Sequence, residues 1–384
     1  MLTHGAPTRP STMVSLTDLA AMTRDVAEAL DAAWAETTRS SSFIGGDRVE
    51  HFEEQWARYC GSRHAVGVAN GTDAIELTLR GLGIGPGDEV IVPTNAFVAT
   101  AEAVVWAGAV PQFVDVDSET LLLTPETIGP AINRRTAAVI VVELYGNMPA
   151  MDRIARLAEA EQLALIEDAA QAHGSTWRGK KAGSFGIAGC FSFYPGKNLG
   201  AFGDAGAVVT DDAALADRIR SLGNHGRPPE ANHIHNVVGR NSRLDALQAE
   251  VLSIKLERLD GWNHARRTAM AGYRNLLSSD LVQMVRGDRE AESAFHQNVV
   301  RVPDRDGVRA SLKGRGIETA IHYPIPCHRQ DPYRHLATDP IPVAERAATE
   351  VLSLPLFPHM TDRQVEYVST ALNEIVGQLD GHIS

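Results

Sequence analysis

The chain has 384 residues, of which 44% are apolar and 22% charged, as expected for a globular protein large enough for two domains. Its net charge of −12 disfavours non-specific binding to nucleic acid or to an anionic membrane. The three cysteines, Cys60, Cys190 and Cys327, are far apart, which favours reduced thiols in a cytoplasm over a disulfide framework or a zinc site. No segment has membrane-spanning length or resembles a signal peptide, and we expect residues 1–14 to form a mobile tail.

The first two predicted elements are helices, from Thr17 to about Trp34 and from Glu50 to Cys60. Strands then alternate with helices. The predicted strands are residues 64–68, 89–92, 111–116, 137–144, 163–166, 189–194 and 206–209. This alternation predicts an α/β fold with a mainly parallel sheet that is covered by helices on both faces.

A long helical pattern begins near Arg243 and continues past Tyr273, and we interpret it as the connection to a second domain. The elements predicted after it are strands at 298–302 and 318–323, helices at 308–313 and 342–352, and a last helix that begins at residue 361. The sequence therefore predicts a large domain of residues 15–260 and a smaller α+β domain of residues 261–384.

Lys197 lies in a stretch, residues 190–207, that begins as a strand and ends in glycine-rich turns. Most lysines in such loops are solvated and have no chemical role. Here aromatic and small residues surround Lys197, and a desolvated lysine loses its charge readily. A neutral amine can attack a carbonyl and form a Schiff base, so Lys197 is a candidate catalytic residue.

Two further patterns are suited to a phosphorylated, nitrogen-containing ring. Gly71, Thr72 and Asp73 open a helix after a strand, where free amides bind anions, although a simple capped turn explains the same residues. Asp168 ends an apolar strand, at the edge of a parallel sheet where ligands bind. It could pair with a protonated pyridine nitrogen, or serve as a helix cap or ion-pair partner; Gln171 could donate to a ring oxygen.

Other polar and aromatic residues are weaker candidates. Ser192 could contact the same phosphate as the helix amides, and Phe97 could stack on a planar ring or pack in the core. The remaining candidates for ligand contacts are Asn241, Arg243, His322 and Tyr323. His225, His233 and His235 share a polar loop, but no acidic or cysteine partner lies at ligand spacing, which disfavours a metal site.

Eight stretches, taken together and in order, resemble the DegT/DnrJ/EryC1/StrS family of sugar-nucleotide aminotransferases, which are fold-type-I enzymes dependent on pyridoxal 5′-phosphate (PLP). They are NGTDAI (70–75), GIGPGDEVIVP (83–93), ELYG (143–146), IEDAAQAHG (166–174), FSFYPGKNLGAFGDAGAVVT (191–210), GRNSRLDALQAEVLSIKLERLDGWN (239–263), IHYPIPCH (321–328) and LSLPLFPH (352–359). The resemblance implies a large domain with a mainly parallel seven-stranded sheet and a smaller C-terminal domain.

The resemblance also implies roles for individual residues. Lys197 would bond covalently to PLP and shuttle protons, Asp168 would pair with the ring nitrogen, and Gln171 would contact the ring hydroxyl. Phe97 would stack on the ring. The phosphate contacts would come from Gly71, Thr72, Asp73 and Ser192, and from Asn241 of a neighbouring subunit in a homodimer with shared active sites. The residues near the sugar would be Arg243, His322 and Tyr323.

The activity implied is transfer of an amino group, with L-glutamate as the expected donor, to a keto sugar linked to a nucleoside diphosphate. The lysine stretch, with Tyr194 after Phe193, resembles that of family members that act on 3-keto sugars. A 4-keto sugar nucleotide and a keto-cyclitol are the alternative acceptors. A cofactor-binding regulator without catalysis is a hypothesis of another class. Two residues depart from the usual family pattern, Ala205 and Glu143, and Glu143 could contact the cofactor pocket or a dimer interface.

Overall fold

The structure is a computed structural model that describes residues 13–228, 233–278, 280–336 and 340–383. The expected mobile tail, residues 1–14, lies outside this part of the chain except for Met13 and Val14. Val14 is buried, and its amide donates to the carbonyl of Gly316 at 2.9 Å. This end of the expected tail is therefore attached to the C-terminal half of the protein.

The described residues contain thirteen strands, and seven of them form the large sheet. The strands are β1 (His64–Val68), β2 (Glu89–Pro93), β3 (Val110–Val114), β4 (Thr136–Val142), β5 (Ala164–Asp168), β6 (Thr176–Trp177), β7 (Lys180–Lys181), β8 (Ala188–Ser192), β9 (Gly206–Thr210), β10 (Gln283–Met284), β11 (Ala291–Glu292), β12 (Asn298–Arg301) and β13 (Val351–Leu354). The large sheet has the order β1-β9-β8-β5-β4-β2-β3, and β9 runs in the direction opposite to the other six strands. The predicted α/β fold with a mainly parallel seven-stranded sheet is confirmed.

The α-helices cover both faces of this sheet and surround the smaller C-terminal sheet. They are α1 (Leu19–Arg24), α2 (Ala27–Ser40), α3 (Asp47–Cys60), α4 (Gly71–Gly81), α5 (Ala99–Trp106), α6 (Pro125–Ile128), α7 (Met151–Ala160), α8 (Ala213–Gly223), α9 (Ala246–Leu276), α10 (Arg305–Gly314), α11 (Pro342–Glu350) and α12 (Asp362–Ile383). The helix α9 continues through residues 260 and 261, so the predicted domain boundary falls inside one helix; the division itself stays a prediction.

Alternate residues of each large-sheet strand are buried in two separate cores, because successive side chains point to opposite faces. In β2, Val90 and Val92 pack with α4, α5 and α8, whereas Ile91 packs with α3, α7 and α9. Strands that are buried on both faces read as continuous apolar runs, which explains why β4 was recognisable in the sequence. The sheet is therefore a rigid platform whose strand ends can hold polar side chains in place.

The C-terminal region differs from the prediction in two places. The predicted strand at 318–323 is reduced to isolated bridges, in which Ile317 pairs with Val14 and Ala320 with Ser353. The predicted helix at 342–352 ends at Glu350, and Val351 begins β13, which pairs with β12. The pairing with β12 is a long-range contact, and the helical pattern before Val351 concealed it.

Candidate active site

A cavity of about 540 Å³ lies at the carboxyl ends of β5 and β8, between the large sheet and the C-terminal region. Most of the residues predicted for the site line it: Gly71, Thr72, Phe97, Asp168, Gln171, Ser192, Lys197, His322 and Tyr323. Asp73, Asn241 and Arg243 are predicted site residues that do not line it. The structure thus brings together residues from the strand ends of the large sheet and from a segment near residue 322.

Lys197 is presented to the cavity by the turn after β8, where its amide donates to the carbonyl of Tyr194 at 2.8 Å. Burial lowers the pKa of its ammonium group to about 8, although the nearby Asp168 carboxylate opposes this shift. A lysine in this setting gives up its proton near neutral pH, as a nucleophilic amine or a proton carrier must.

Asp168 is held at the end of β5 by two donors. Thr100 donates its hydroxyl to Oδ2 at 2.7 Å, and the Ala170 amide donates to Oδ1 at 3.3 Å. Burial raises the pKa of Asp168, while the Thr100 hydrogen bond, the charge of Lys197 and the Ala170 amide act in the opposite direction. A buried carboxylate of this kind is stabilised by a cation or a protonated nitrogen placed against it.

The amino end of α4 provides free donors beside Ser192. No described acceptor takes the amides of Gly71 and Thr72, and a Cβ added to Gly71 would lie only 2.6 Å from Ser192 Cβ. Two helix amides and a serine hydroxyl at one end of the cavity fit a phosphate. The prediction for Asp73 needs correction, because its amide already donates to Asn70 Oδ1 at 2.8 Å and its carboxylate pairs with Arg240 at 3.2 Å.

The cavity lining also contains aromatic and amide groups. The rings of Phe97 and Tyr323 are 5.7 Å apart. Gln171 accepts a hydrogen bond from the Tyr145 amide at 2.6 Å and donates to the Tyr323 hydroxyl at 3.2 Å, so its orientation is fixed. His322 is hydrogen-bonded to Ser353 at 2.8 Å, and burial together with the charge of Lys197 lowers its pKa to about 4.

Comparisons with known proteins identify this arrangement. The sequence model of the DegT/DnrJ/EryC1/StrS aminotransferase family matches residues 24–373 of this chain. The chain belongs to this family. The predicted membership, the aminotransferase activity and the dependence on PLP are thereby confirmed.

Individual relatives cover almost the whole chain. The chain is 43% identical to a pleiotropic regulatory protein of Geobacillus stearothermophilus, over 88% of this chain and 92% of that protein. It is also 43% identical to a UDP-N-acetyl-3-dehydro-α-D-glucosamine 3-aminotransferase of Acidithiobacillus ferrooxidans, over 94% of this chain and 98% of that protein. The crystal structure of S. venezuelae DesV superposes with a TM-score of 0.92 at 42% identity and covers 95% of this chain and 98% of that one.

The Lys197, Asp168 and α4 groups fit PLP, the cofactor of the family, by their chemistry. The α4 amides and Ser192 match its phosphate, Asp168 matches a protonated ring nitrogen, and the Lys197 amine matches its aldehyde. Bound PLP supplies an electron sink at the reacting carbon. Lys197 is the one cavity-lining lysine among the described residues, so with PLP bound it would be the amine placed to carry a proton to and from that carbon.

Asn241 and Arg243 lie away from the cavity of their own chain. Asn241 forms a bridge with Asn224, and Arg243 donates to the Asn224 side chain at 3.2 Å. In the same loop, His235 donates to the carbonyl of His225 at 2.8 Å. Within the described part of the chain, no group of three or more His, Cys, Asp or Glu side chains could hold a metal ion, and no helix is long and apolar enough to cross a membrane.

Glu143, one of the two departures from the family pattern, is completely buried behind the strand ends. Its amide donates to the carbonyl of Asp168 at 3.1 Å, and neither of its carboxyl oxygens has a hydrogen-bond partner by distance and angle among the described residues. Burial, followed by the negative charges of Glu167 and Asp168, raises its pKa well above the usual range. The raised pKa favours the neutral carboxylic acid, and Glu143 does not line the cavity.

The sequence patterns missed several residues of the site. Thr100 is in the first turn of α5, one turn after Phe97, and that spacing could have indicated it. Thr100 acts behind the cavity lining, whereas the missed residues that line the cavity include Leu16, Thr17, Asp204, His296 and Gln297. They come from loops and from the segment before α1, where no periodic pattern marks a residue as functional.

Proposed function

We propose that this protein transfers the amino group of L-glutamate to the 3-keto group of a nucleoside-diphosphate-linked hexose. The observation that carries the proposal is the single cavity that contains Lys197 with a lowered pKa, a hydrogen-bonded Asp168 and the free amides of α4. The A. ferrooxidans relative, whose name describes a 3-aminotransferase of a UDP-linked 3-dehydro sugar, supports the acceptor class.

In this proposal each side chain has one task. Gly71, Thr72 and Ser192 hold the phosphate of PLP, and Asp168, supported by Thr100, keeps the ring nitrogen protonated. Lys197 moves the proton between the amino-bearing carbon and the cofactor in both halves of the reaction. Phe97 packs on the ring, and Gln171 contacts the ring hydroxyl with its amide.

The sugar end of the cavity is proposed to include His322 and Tyr323. Tyr194, on which the preference for a 3-keto sugar rests, also lines the cavity and is exposed there. A 4-keto sugar nucleotide and a keto-cyclitol such as inosose remain the alternative acceptors.

We further propose a homodimer with shared active sites, in the cytoplasm. Asn241 would reach the cofactor phosphate of the partner subunit, with Arg243 near that subunit's sugar. The displacement of both residues from their own cavity supports this arrangement, as do the exposed apolar side chains in the same loop, Ile234, Val237 and Val238. Sedimentation tests the oligomeric state. Mixing Lys197→Ala chains with Asn241→Ala chains tests the shared site, because a mixed dimer has one site in which both residues are intact and should regain activity.

A regulatory role without turnover is the second candidate, because the G. stearothermophilus relative carries the name of a regulatory protein. The two candidates differ in a simple experiment. The PLP-loaded protein is incubated with glutamate and, separately, with 3-keto sugar nucleotides, 4-keto sugar nucleotides and inosose. Formation of 2-oxoglutarate and an amino sugar supports the enzyme, whereas cofactor binding without any turnover supports the regulator.

A further inference from the structure

His296 lies in the cavity wall although no sequence pattern singled it out. It precedes β12, in a segment that is held against the large domain where the Gln297 amide donates to the carbonyl of Tyr145 at 3.4 Å. Its Nδ1 atom is 3.1 Å from Asn198 Oδ1, and Asn198 directly follows Lys197. The imidazole of His296 is therefore hydrogen-bonded to the same turn that presents Lys197 to the cavity.

A chain of hydrogen bonds determines which nitrogen of His296 carries the proton. Asn263 donates its amide to the carbonyl of His173 at 2.8 Å, so its Oδ1 is the atom that faces Asn198. Asn198 Nδ2 donates to that Oδ1 and to the carbonyl of Ala294, both at 2.8 Å. The remaining atom, Asn198 Oδ1, can only accept, and Nδ1 of His296 must donate to it.

The second nitrogen, Nε2, consequently has a lone pair and no proton. Burial lowers the pKa of His296 well below its usual value, and the positive charges of Lys197 and Arg266, together with His322 and His173, act in the same direction. The ring therefore stays neutral at physiological pH. Among the described residues no donor is hydrogen-bonded to Nε2, and because His296 lines the cavity this nitrogen is available to a ligand there.

We propose that His296 Nε2 accepts a hydrogen bond from one hydroxyl group of the sugar substrate and so helps to select and orient that sugar. This inference rests on the proposed function. A lone pair repels the carboxylates of glutamate, whose one donor is the reacting nitrogen itself, and it cannot bond to a ketone oxygen, but it bonds well to a hydroxyl. His296 thus acts on the sugar half of the reaction and not on the amino-donor half.

The test measures the two halves separately by the absorbance of the cofactor. The wild-type protein and His296→Phe are mixed first with glutamate alone, and then, in the aminated form, with a keto sugar nucleotide. We expect His296→Phe to slow the sugar half roughly 10- to 100-fold, as for loss of one buried hydrogen bond. The amino-donor half should change less than about threefold, since it leaves that bond unmade.

A set of substrate analogues, each lacking one hydroxyl, identifies the partner group. The wild-type protein should discriminate against one of them by the same factor, and His296→Phe should not distinguish that analogue from the complete sugar. His296→Gln, which keeps an acceptor oxygen, should recover part of the rate; thermal unfolding and PLP absorbance show whether each variant is folded. Equal losses in both halves, or discrimination that survives in His296→Phe, would overturn the proposal.

Calorimetry separates this inference from the proposed function. If the wild-type protein aminates no keto sugar, the proposed function fails. The hydrogen bond from the sugar hydroxyl to His296 Nε2 can still be measured, by titrating UDP- and TDP-linked amino sugars into the wild-type protein and into His296→Phe. Weaker binding by His296→Phe, lost when the same hydroxyl is absent, supports the contact, whereas equal dissociation constants overturn it.

Discussion

The proposed cofactor side and the proposed sugar side of the cavity are built differently. On the cofactor side, Asp168 and Ser192 lie at the ends of adjacent strands of one sheet, and Gly71 begins the helix that follows β1. On the sugar side, His296 and Tyr323 come from irregular segments that meet only in the folded chain. A sheet edge fixes the geometry for a cofactor, whereas loops can vary and suit different sugars.

The largest predicted effect is on the cofactor side. Lys197→Ala removes the amine that we propose bonds to PLP and carries the proton, so turnover should fall by at least about 10³-fold in both half-reactions. Absorbance and borohydride reduction should detect PLP that is bound but not covalently attached. Loss confined to the sugar half would contradict the role of Lys197 and the division into two sides.

Thr100→Val should have an intermediate effect, because it removes one hydrogen bond from Asp168 and keeps the side-chain shape. We expect about a tenfold loss in kcat, equal for both half-reactions, from a bond worth about 1.4 kcal/mol. Thr78→Val is the matched control, since it removes a buried threonine hydroxyl whose hydrogen-bond acceptor is the Ala74 carbonyl. An unchanged rate in Thr100→Val would show that Asp168 needs no support.

On the sugar side, Tyr323→Phe should have a smaller effect. The change removes the hydroxyl that accepts from Gln171, while the ring beside Phe97 remains. We expect a rise of about three- to tenfold in KM for the sugar nucleotide and little change for glutamate, as for a neutral hydrogen bond. Steady-state kinetics with each substrate varied in turn measure this, and a larger effect on glutamate would contradict the assignment.

Glu143→Gln should change stability with almost no effect on activity. The folded protein holds a proton on Glu143 that the unfolded chain releases above its ordinary pKa of 4.5, so the wild type loses stability as the pH rises towards the raised folded pKa. The variant lacks this loss, and its advantage should grow by up to about 1.4 kcal/mol per pH unit in that window.

Urea unfolding of the wild type and Glu143→Gln between pH 5 and pH 8 measures the difference in the free energy of unfolding. Glu28→Gln, at an exposed position of α2, controls for the loss of one carboxylate. A constant difference across this range would mean that Glu143 is ionised in the folded protein.

Features that depend on local sequence patterns could be predicted from the sequence, whereas features that depend on contacts between distant residues could not. The apolar run of β4 and the helix-opening turn at Gly71 are local patterns; the first predicted a strand of the sheet, and the second predicted the turn that we propose as the phosphate site. The same local signals misled at Val351, where a helical pattern continues into a strand that β12 stabilises. The capped turn that the sequence left open as an alternative at these residues is present for Asp73, whose amide donates to Asn70.

The sequence by itself determined the order of the seven large-sheet strands along the chain, the lysine in its glycine-rich turn and the carboxylate at a strand end, because these depend on periodicity and on short-range chemistry. Tertiary structure decided the lowered pKa of Lys197, the raised pKa of Glu143 and the tautomer of His296. Each of these depends on burial and on partners distant in the sequence: Asp168 for Lys197, Glu167 for Glu143, and the Asn198–Asn263 chain for His296.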